Sequence, residues 1–316
     1  MKRAALLSAL LTSTLVTFVV VSTLRAQQAA PPPQTPPQAA AAQAPNRNMG
    51  GGNCAQNPYN CADAPNPLTP PDTVWLEEMS WMDVRDNMKA GKTTVIISTG
   101  GMEPNGPWLA LGKHNYVLRA NCDAIARKLG NAMCAPIVPF VPEGNYENKS
   151  GHMATVGTIT LTEATFAALL TDIVRSYKAH GFENIMMIGD SGGNGRGMTA
   201  VAKTLQTEWG GKPLVAHIPE HYAYNTVSAL LDQLGVTKPG MASDNLHDDP
   251  GITMNMFVTD PQSVRWEARV KAGKATINGV SIADKAKTLE TGKKIVEMRA
   301  TNTAAAIRKA IEANKK

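Results

Sequence analysis

Five of the six histidines in this 316-residue chain fall in short segments rich in glycine, proline, asparagine and carboxylates. Residues 100–114 (GGMEPNGPWLALGKH) offer Glu103, Asn105 and His114. Residues 143–158 (EGNYENKSGHMATVGT) contain His152, and residues 189–194 (GDSGGN) contain Asp190, Ser191 and Asn194. Residues 217–222 (HIPEHY) add His217, Glu220 and His221, and residues 245–253 (NLHDDPGIT) set His247 beside Asp248 and Asp249. Imidazole and carboxylate together are the ligand types of zinc and manganese, and the same groups carry protons in general acid–base catalysis. The remaining histidine, His180, stands one residue before Gly181 and needs only a helix-end explanation.

The elements that must carry these segments are legible as an alternation. Short apolar, β-branched runs at residues 93–98 (TTVIIS), 135–141 (APIVPFV), 184–188 (NIMMI) and 214–218 read as strands. Helical spacing covers residues 115–129, 162–180, 198–209 and 288–311, the last with a break expected near Ala300. Gly130 and Gly181 terminate the first two helices, and Thr160 with Glu163 has capping-box spacing at the start of the second. Strand–helix alternation implies an α/β fold, a three-layer α/β/α arrangement on a mostly parallel sheet. In such folds ligands sit beyond the carboxyl ends of the strands, where four of the five segments fall.

These segments resemble the motifs of the creatininase family of metal-dependent amidohydrolases, over most of residues 74–311. The family string Gly-Ser-x-Glu-Gln-His-Gly-Pro-His-Leu-Pro-Leu-x-Thr-Asp matches GGMEPNGPWLALGKH in register, and its Gly-His-x-x-x-x-Gly-Thr-Ile loop matches residues 151–159. His-Gly-Phe recurs at residues 180–182, Asn-Gly-His-Gly-Gly-Asn corresponds to residues 189–194, and a looser string begins at His247. The resemblance implies hydrolysis of a non-peptide C–N bond in a small amide, a divalent-metal cofactor and a homo-oligomer. It also exposes departures. Glu103 keeps the family glutamate, but Asn105 stands at a histidine ligand, His114 at the bridging aspartate, Ser191 at the third-motif histidine and Gly193 at a position that carries glutamate in some members. An imidazole cannot bridge two ions as a carboxylate does. The implied centre is therefore a single zinc or manganese per chain on Glu103, His114 and Asp190. His152 or His247 would move the proton, and Asn105, Trp108 and Asn194 would line the substrate site.

Two other readings stand beside this one. Residues 189–193 also fit Gly-x-Ser-x-Gly between a strand and a helix, which would make Ser191 a nucleophile served by His247 with Asp232 or Asp244. A binding module without catalysis, on the same fold, is the third.

The N-terminus (MKRAALLSALLTSTLVTFVVVSTLRAQQ) is a basic start, an apolar run and a small residue, Ala26, in the pattern of a signal peptide. The run is long enough that retention as a membrane anchor stays open. Residues 27–73 then form a Pro/Ala/Gln-rich tether with a Cys54/Cys61 loop, and residues 74–316 the folded domain. A secreted or periplasmic location follows, and four cysteines suit it. Cys54 and Cys61 read as a pair, while Cys122 and Cys134 are a pair or two buried thiols. The net charge of +5 includes three basic residues of the acid-free leader. The rest is close to neutral, which leaves no electrostatic case for nucleic-acid binding.

Overall fold

The computed structural model describes residues 54–241 and 247–315. The signal segment and most of the tether, and also Asp244, lie outside the described residues. Two compact units divide after Ala64. In the first, Cys54 and Cys61 are disulfide-bonded around a 3-10 turn at Pro58–Asn60, which the Asn57 side chain caps.

In the second unit the strands are β1 (Thr94–Thr99), β2 (Ala132–Cys134), β3 (Gly144–Asn145), β4 (Ser150–Gly151), β5 (Asn184–Gly189), β6 (Leu214–His217), β7 (Thr276–Ile277) and β8 (Val280–Ser281). The helices are α1 (Trp81–Lys89), α2 (Lys113–Leu129), α3 (Glu163–Ala179), α4 (Asn194–Trp209), α5 (Tyr224–Gln233), α6 (Pro250–Thr259), α7 (Trp266–Lys271) and α8 (Lys285–Asn314). β2-β1-β5-β6 form one parallel sheet, in that order. β1 is buried along its whole length, as a strand covered on both faces must be. Val95 and Ile97, with Ile185, Met187 and Val215, pack against Phe166, Leu170 and Val174 of α3 and Met198, Val201 and Leu205 of α4. Ile96, with Met186, Ile188 and Leu214, packs against Leu118 and Ile125 of α2 and Ala300 and Ile307 of α8. Side-chain alternation along one strand thus divides the molecule into its three layers.

Several local expectations are corrected. Residues 135–141 are not a regular strand: Pro136 and Pro139 have no N–H to donate, so the ladder stops at Cys134 and only Val138 regains a bridge, to Thr99. The α3 cap is Thr162, whose hydroxyl accepts from the Thr165 amide; Thr160 instead accepts from the Glu143 amide. α4 starts four residues earlier than the spacing implies, at Asn194, because the glycines there hide the helical period. α8 runs unbroken past Ala300, which is fully buried against the sheet. Helices α1, α5, α6 and α7 were not anticipated. Cys122 and Cys134 form a disulfide with Cα atoms 6.2 Å apart, tying α2 to β2. Among the described residues, no helix is long and apolar enough to cross a membrane.

Candidate metal centre at the carboxyl ends of the strands

The loops that leave β1, β2 and β5 open into a cavity of about 630 Å³. Glu103 reaches it from the loop after β1, and Lys113 and His114 from the first turn of α2. Glu143 comes from the loop after β2 and His152 from the 3-10 turn after β4, Asp190 and Ser191 from the β5–α4 turn, and His247 from the segment before α6. His247 adopts a positive φ of 60°, uncommon for a residue other than glycine. The next residue is fixed: the buried Asp248 carboxylate accepts from both terminal nitrogens of the buried Arg269 guanidinium and from the Thr253 hydroxyl.

Glu103 is the hub. Its Oε1 accepts from Lys113 Nζ at 2.7 Å and lies 3.1 Å from both His114 Nε2 and His247 Nδ1; its Oε2 lies 3.0 Å from His152 Nδ1. His152 Nδ1 is also 2.9 Å from Glu143 Oε2. Two groups of ligand atoms converge within 4.8 Å, Glu103–His114–Glu143 and Glu103–His152–His247. In the first group all three residues are buried, and His114 Nε2 and Glu143 Oε1 have no hydrogen-bond partner among the described residues. A Cβ on Gly101 would collide with Glu143 Oε1 and crowd the His114 ring at 3.2 Å, so glycine there leaves room for both ligands.

Behind this hub lies a second buried carboxylate, Asp190. Its Oδ2 sits 2.8 Å from His114 Nδ1, its Oδ1 accepts from Arg299 at 2.8 Å, and the Tyr224 hydroxyl reaches both oxygens at 2.8 Å. The same Arg299 nitrogen donates to the His221 carbonyl at 2.8 Å. Asp190 is therefore not a free ligand as its position in the sequence suggests. Both of its oxygens are committed, and it orients His114 so that Nε2 faces Glu103 and Glu143. A carboxylate behind a ligating histidine is the usual way to fix its tautomer.

Burial alone would raise the Glu103 carboxyl, but the close approach of the His114 and His247 rings and the charges of His114 and Lys113 hold it well below the usual carboxylate range. Burial would likewise raise Asp190, and the Arg299 charge with the His114 contact overcomes it. Burial disfavours a charged His114, yet its contacts to Asp190 and Glu103 prevail and raise it. Glu143 shifts upward, through burial and then the neighbouring Glu103 charge, despite the His152 hydrogen bond. A neutral His114 that donates from Nδ1 to Asp190 would turn a lone pair toward the Glu103 oxygen at 3.1 Å. Two acceptors at that distance need a cation or a proton between them. Imidazole and carboxylate are what zinc and manganese accept, so the donor set fits such an ion.

Other residues named from the sequence lie elsewhere. Asn105 is buried and donates to the Glu103 and Ala110 carbonyls, shaping the loop. Asn194 is buried and donates to the Thr99 and Gly100 carbonyls, tying α4 to the end of β1. Trp108 has the Arg269 guanidinium 5.8 Å from its ring centroid. None of these three lines the cavity. Ser191 does, but among the described residues no histidine is hydrogen-bonded to its hydroxyl, and Asp232 accepts from Thr237 instead. His217 pairs with the Thr199 hydroxyl at 2.9 Å. His221 is fully enclosed, and burial, followed by the Arg299 charge, lowers its pKa to about 3. Tyr224 and Arg299 carry no signal in the sequence because neither stands near other ligand types, and Lys113, beside His114, is not itself a usual ligand type. Glu143 opened a recognised segment, and its place after a strand and Pro142 was the available signal.

Residues 77–307 match the family model described as creatinine amidohydrolase. A creatinine amidohydrolase of Pseudomonas putida is 22% identical over 118 residues, 37% of this chain; that match spans only 44% of the relative's length. Among solved structures, a creatinine amidohydrolase (creatininase) superposes with a TM-score of 0.58 at 19% identity, covering 76% of this chain and 98% of that one. A manganese form of creatininase gives 0.57 at 21% identity, with 75% and 98% covered. A protein of Bacteroides fragilis described as a putative creatinine amidohydrolase gives 0.54 at 20%, with 76% and 97% covered. The family model covers well over half of the chain: it belongs to the creatininase family.

Proposed function

We propose that this protein is an amidohydrolase that cleaves a non-peptide C–N bond of a small amide with one divalent ion, zinc or manganese, held by Glu103, His114 and Glu143. The observation that carries this reading is the pair of buried, unpartnered ligand atoms, His114 Nε2 and Glu143 Oε1, converging on the Glu103 carboxylate. The ion, when bound, supplies Lewis acidity toward the amide carbonyl and the attacking water. The chain's own residues do the rest. Asp190 keeps the Nδ1 proton of His114 in place and its Nε2 lone pair forward. His152, in contact with both Glu103 and Glu143 yet partly exposed, passes a proton between the carboxylates and the cavity. His247, exposed and in edge contact with the His152 ring, reaches the other Glu103 oxygen and is placed to protonate the leaving nitrogen. Tyr222 and Ile252 line the same cavity and would offer apolar surface to a substrate.

We further propose export through the N-terminal segment and assembly as a homo-oligomer, by analogy with the family. Elemental analysis of the purified chain tests the centre. Bound zinc or manganese that is lost in Glu103→Gln and in His114→Ala supports it, and an amide screen of the loaded protein follows. Full retention of the ion in both variants, or no ion in any of the three proteins, would sink it.

A further inference from the structure

Lys113 is buried, its Nζ is 2.7 Å from Glu103 Oε1, and it faces the same cavity as both ligand groups. An ammonium has three donors and no acceptor; among the described residues Glu103 is its one hydrogen-bond partner. The oxygen it holds is the same one that lies 3.1 Å from His114 Nε2 and from His247 Nδ1. Both ligand groups share Glu103, and a shared carboxylate is geometry that could serve a pair of ions. The charges oppose it. Glu103 and Glu143 bring at most two negative charges, and Lys113 cancels one of them. Asp190 cannot help, because Arg299 already balances it. One divalent ion turns the cluster from one net negative to one net positive charge. A second would add two more positive charges next to a buried ammonium; of the other carboxylates lining the cavity, Asp248 is paired with Arg269 and Asp249 is turned to the Gly251 and Ile252 amides at the start of α6.

We propose that Lys113 is a built-in cation that confines this centre to a single divalent ion, its ammonium taking the charge of a second. The proposal rests on the cation-dependent reading above and explains why the Glu103–His152–His247 group stays a proton-handling group. With the charge removed, that group becomes a second site.

The test uses the full-length chain, stripped of metal and then titrated with manganese. Ions per chain are read by elemental analysis after desalting, and ion–ion coupling by electron paramagnetic resonance. Wild type should retain a single magnetically isolated ion. Lys113→Met should retain a magnetically coupled pair, and Lys113→Gln serves as the second neutral variant should the first not fold. Lys113→Arg keeps the charge and should stay at a single ion. A pair of ions in the wild type overturns the proposal. A single ion in wild type and in the folded neutral variants overturns it while leaving the cation-dependent reading standing. No ion in the wild type overturns both.

Discussion

Glu103 and Asp190 are both buried carboxylates, and His114 touches both. Around Asp190 the oxygens are fully engaged by Arg299, Tyr224 and His114. Around Glu103 the donors crowd together and still leave His114 Nε2 and Glu143 Oε1 without partners. A native interior rarely leaves buried polar atoms unmatched, so the unmatched side is where a ligand belongs and the satisfied side is its support. The same functional group thus does two jobs, and the surroundings decide which.

This contrast can be broken in order of effect. Arg299→Met leaves Asp190 as an uncompensated buried charge and should lower the unfolding free energy by about 3–5 kcal/mol, measured by urea denaturation. A change within error would mean that the network does not hold the fold. Asp190→Asn leaves Arg299 as the uncompensated charge and should also destabilise the fold; in the folded fraction it should weaken divalent-ion affinity roughly 10–100-fold in calorimetric titration, because His114 loses the partner that sets its tautomer. Unchanged affinity would detach Asp190 from the centre.

The third prediction concerns pH. The ordinary histidine value is 6.5, and His114 is raised above it in the folded, metal-free protein. Its stabilising contribution is therefore complete below that value and fades as pH rises through the folded pKa. Ion binding needs the unprotonated ring, so affinity should grow over the same range. The melting-temperature gap between loaded and stripped protein should widen as pH rises above 6.5. A gap that narrows would place the proton elsewhere. The smallest effect is Ser191→Ala, expected to change stability by less than about 0.5 kcal/mol and hydrolysis very little, as judged by initial rates. Loss of hydrolysis with the ion retained would restore the serine as nucleophile.

The parts of the molecule written in local patterns were readable in advance. The buried β-branched run of β1, the spacing of Phe166, Leu170 and Val174 on α3, and the histidine-bearing loops all announce themselves within a few residues. What escaped depends on distance along the chain. Arg299 is 109 residues from Asp190, and on α8 it looks like any charge of an amphipathic helix. Lys113 is adjacent to His114 but shows its role only where α2 begins beside Glu103. Asp190 looked like a ligand because its neighbours are ligand-like, and only the fold reveals that its oxygens are spoken for. The short β2 strand was masked by the prolines that follow it.

α8 links the centre to the order of synthesis. Its thirty residues carry Arg299 near the middle, and the sheet packs on Ala300 and Ile307 just beyond. A growing chain therefore completes β1, β5 and every candidate metal ligand before the positive charge that stabilises Asp190 emerges. Until then only the Tyr224 hydroxyl holds the Asp190 carboxylate behind His114. A chain interrupted before α8 would carry the ligands without the charge that balances Asp190, and should bind metal more weakly than the finished one.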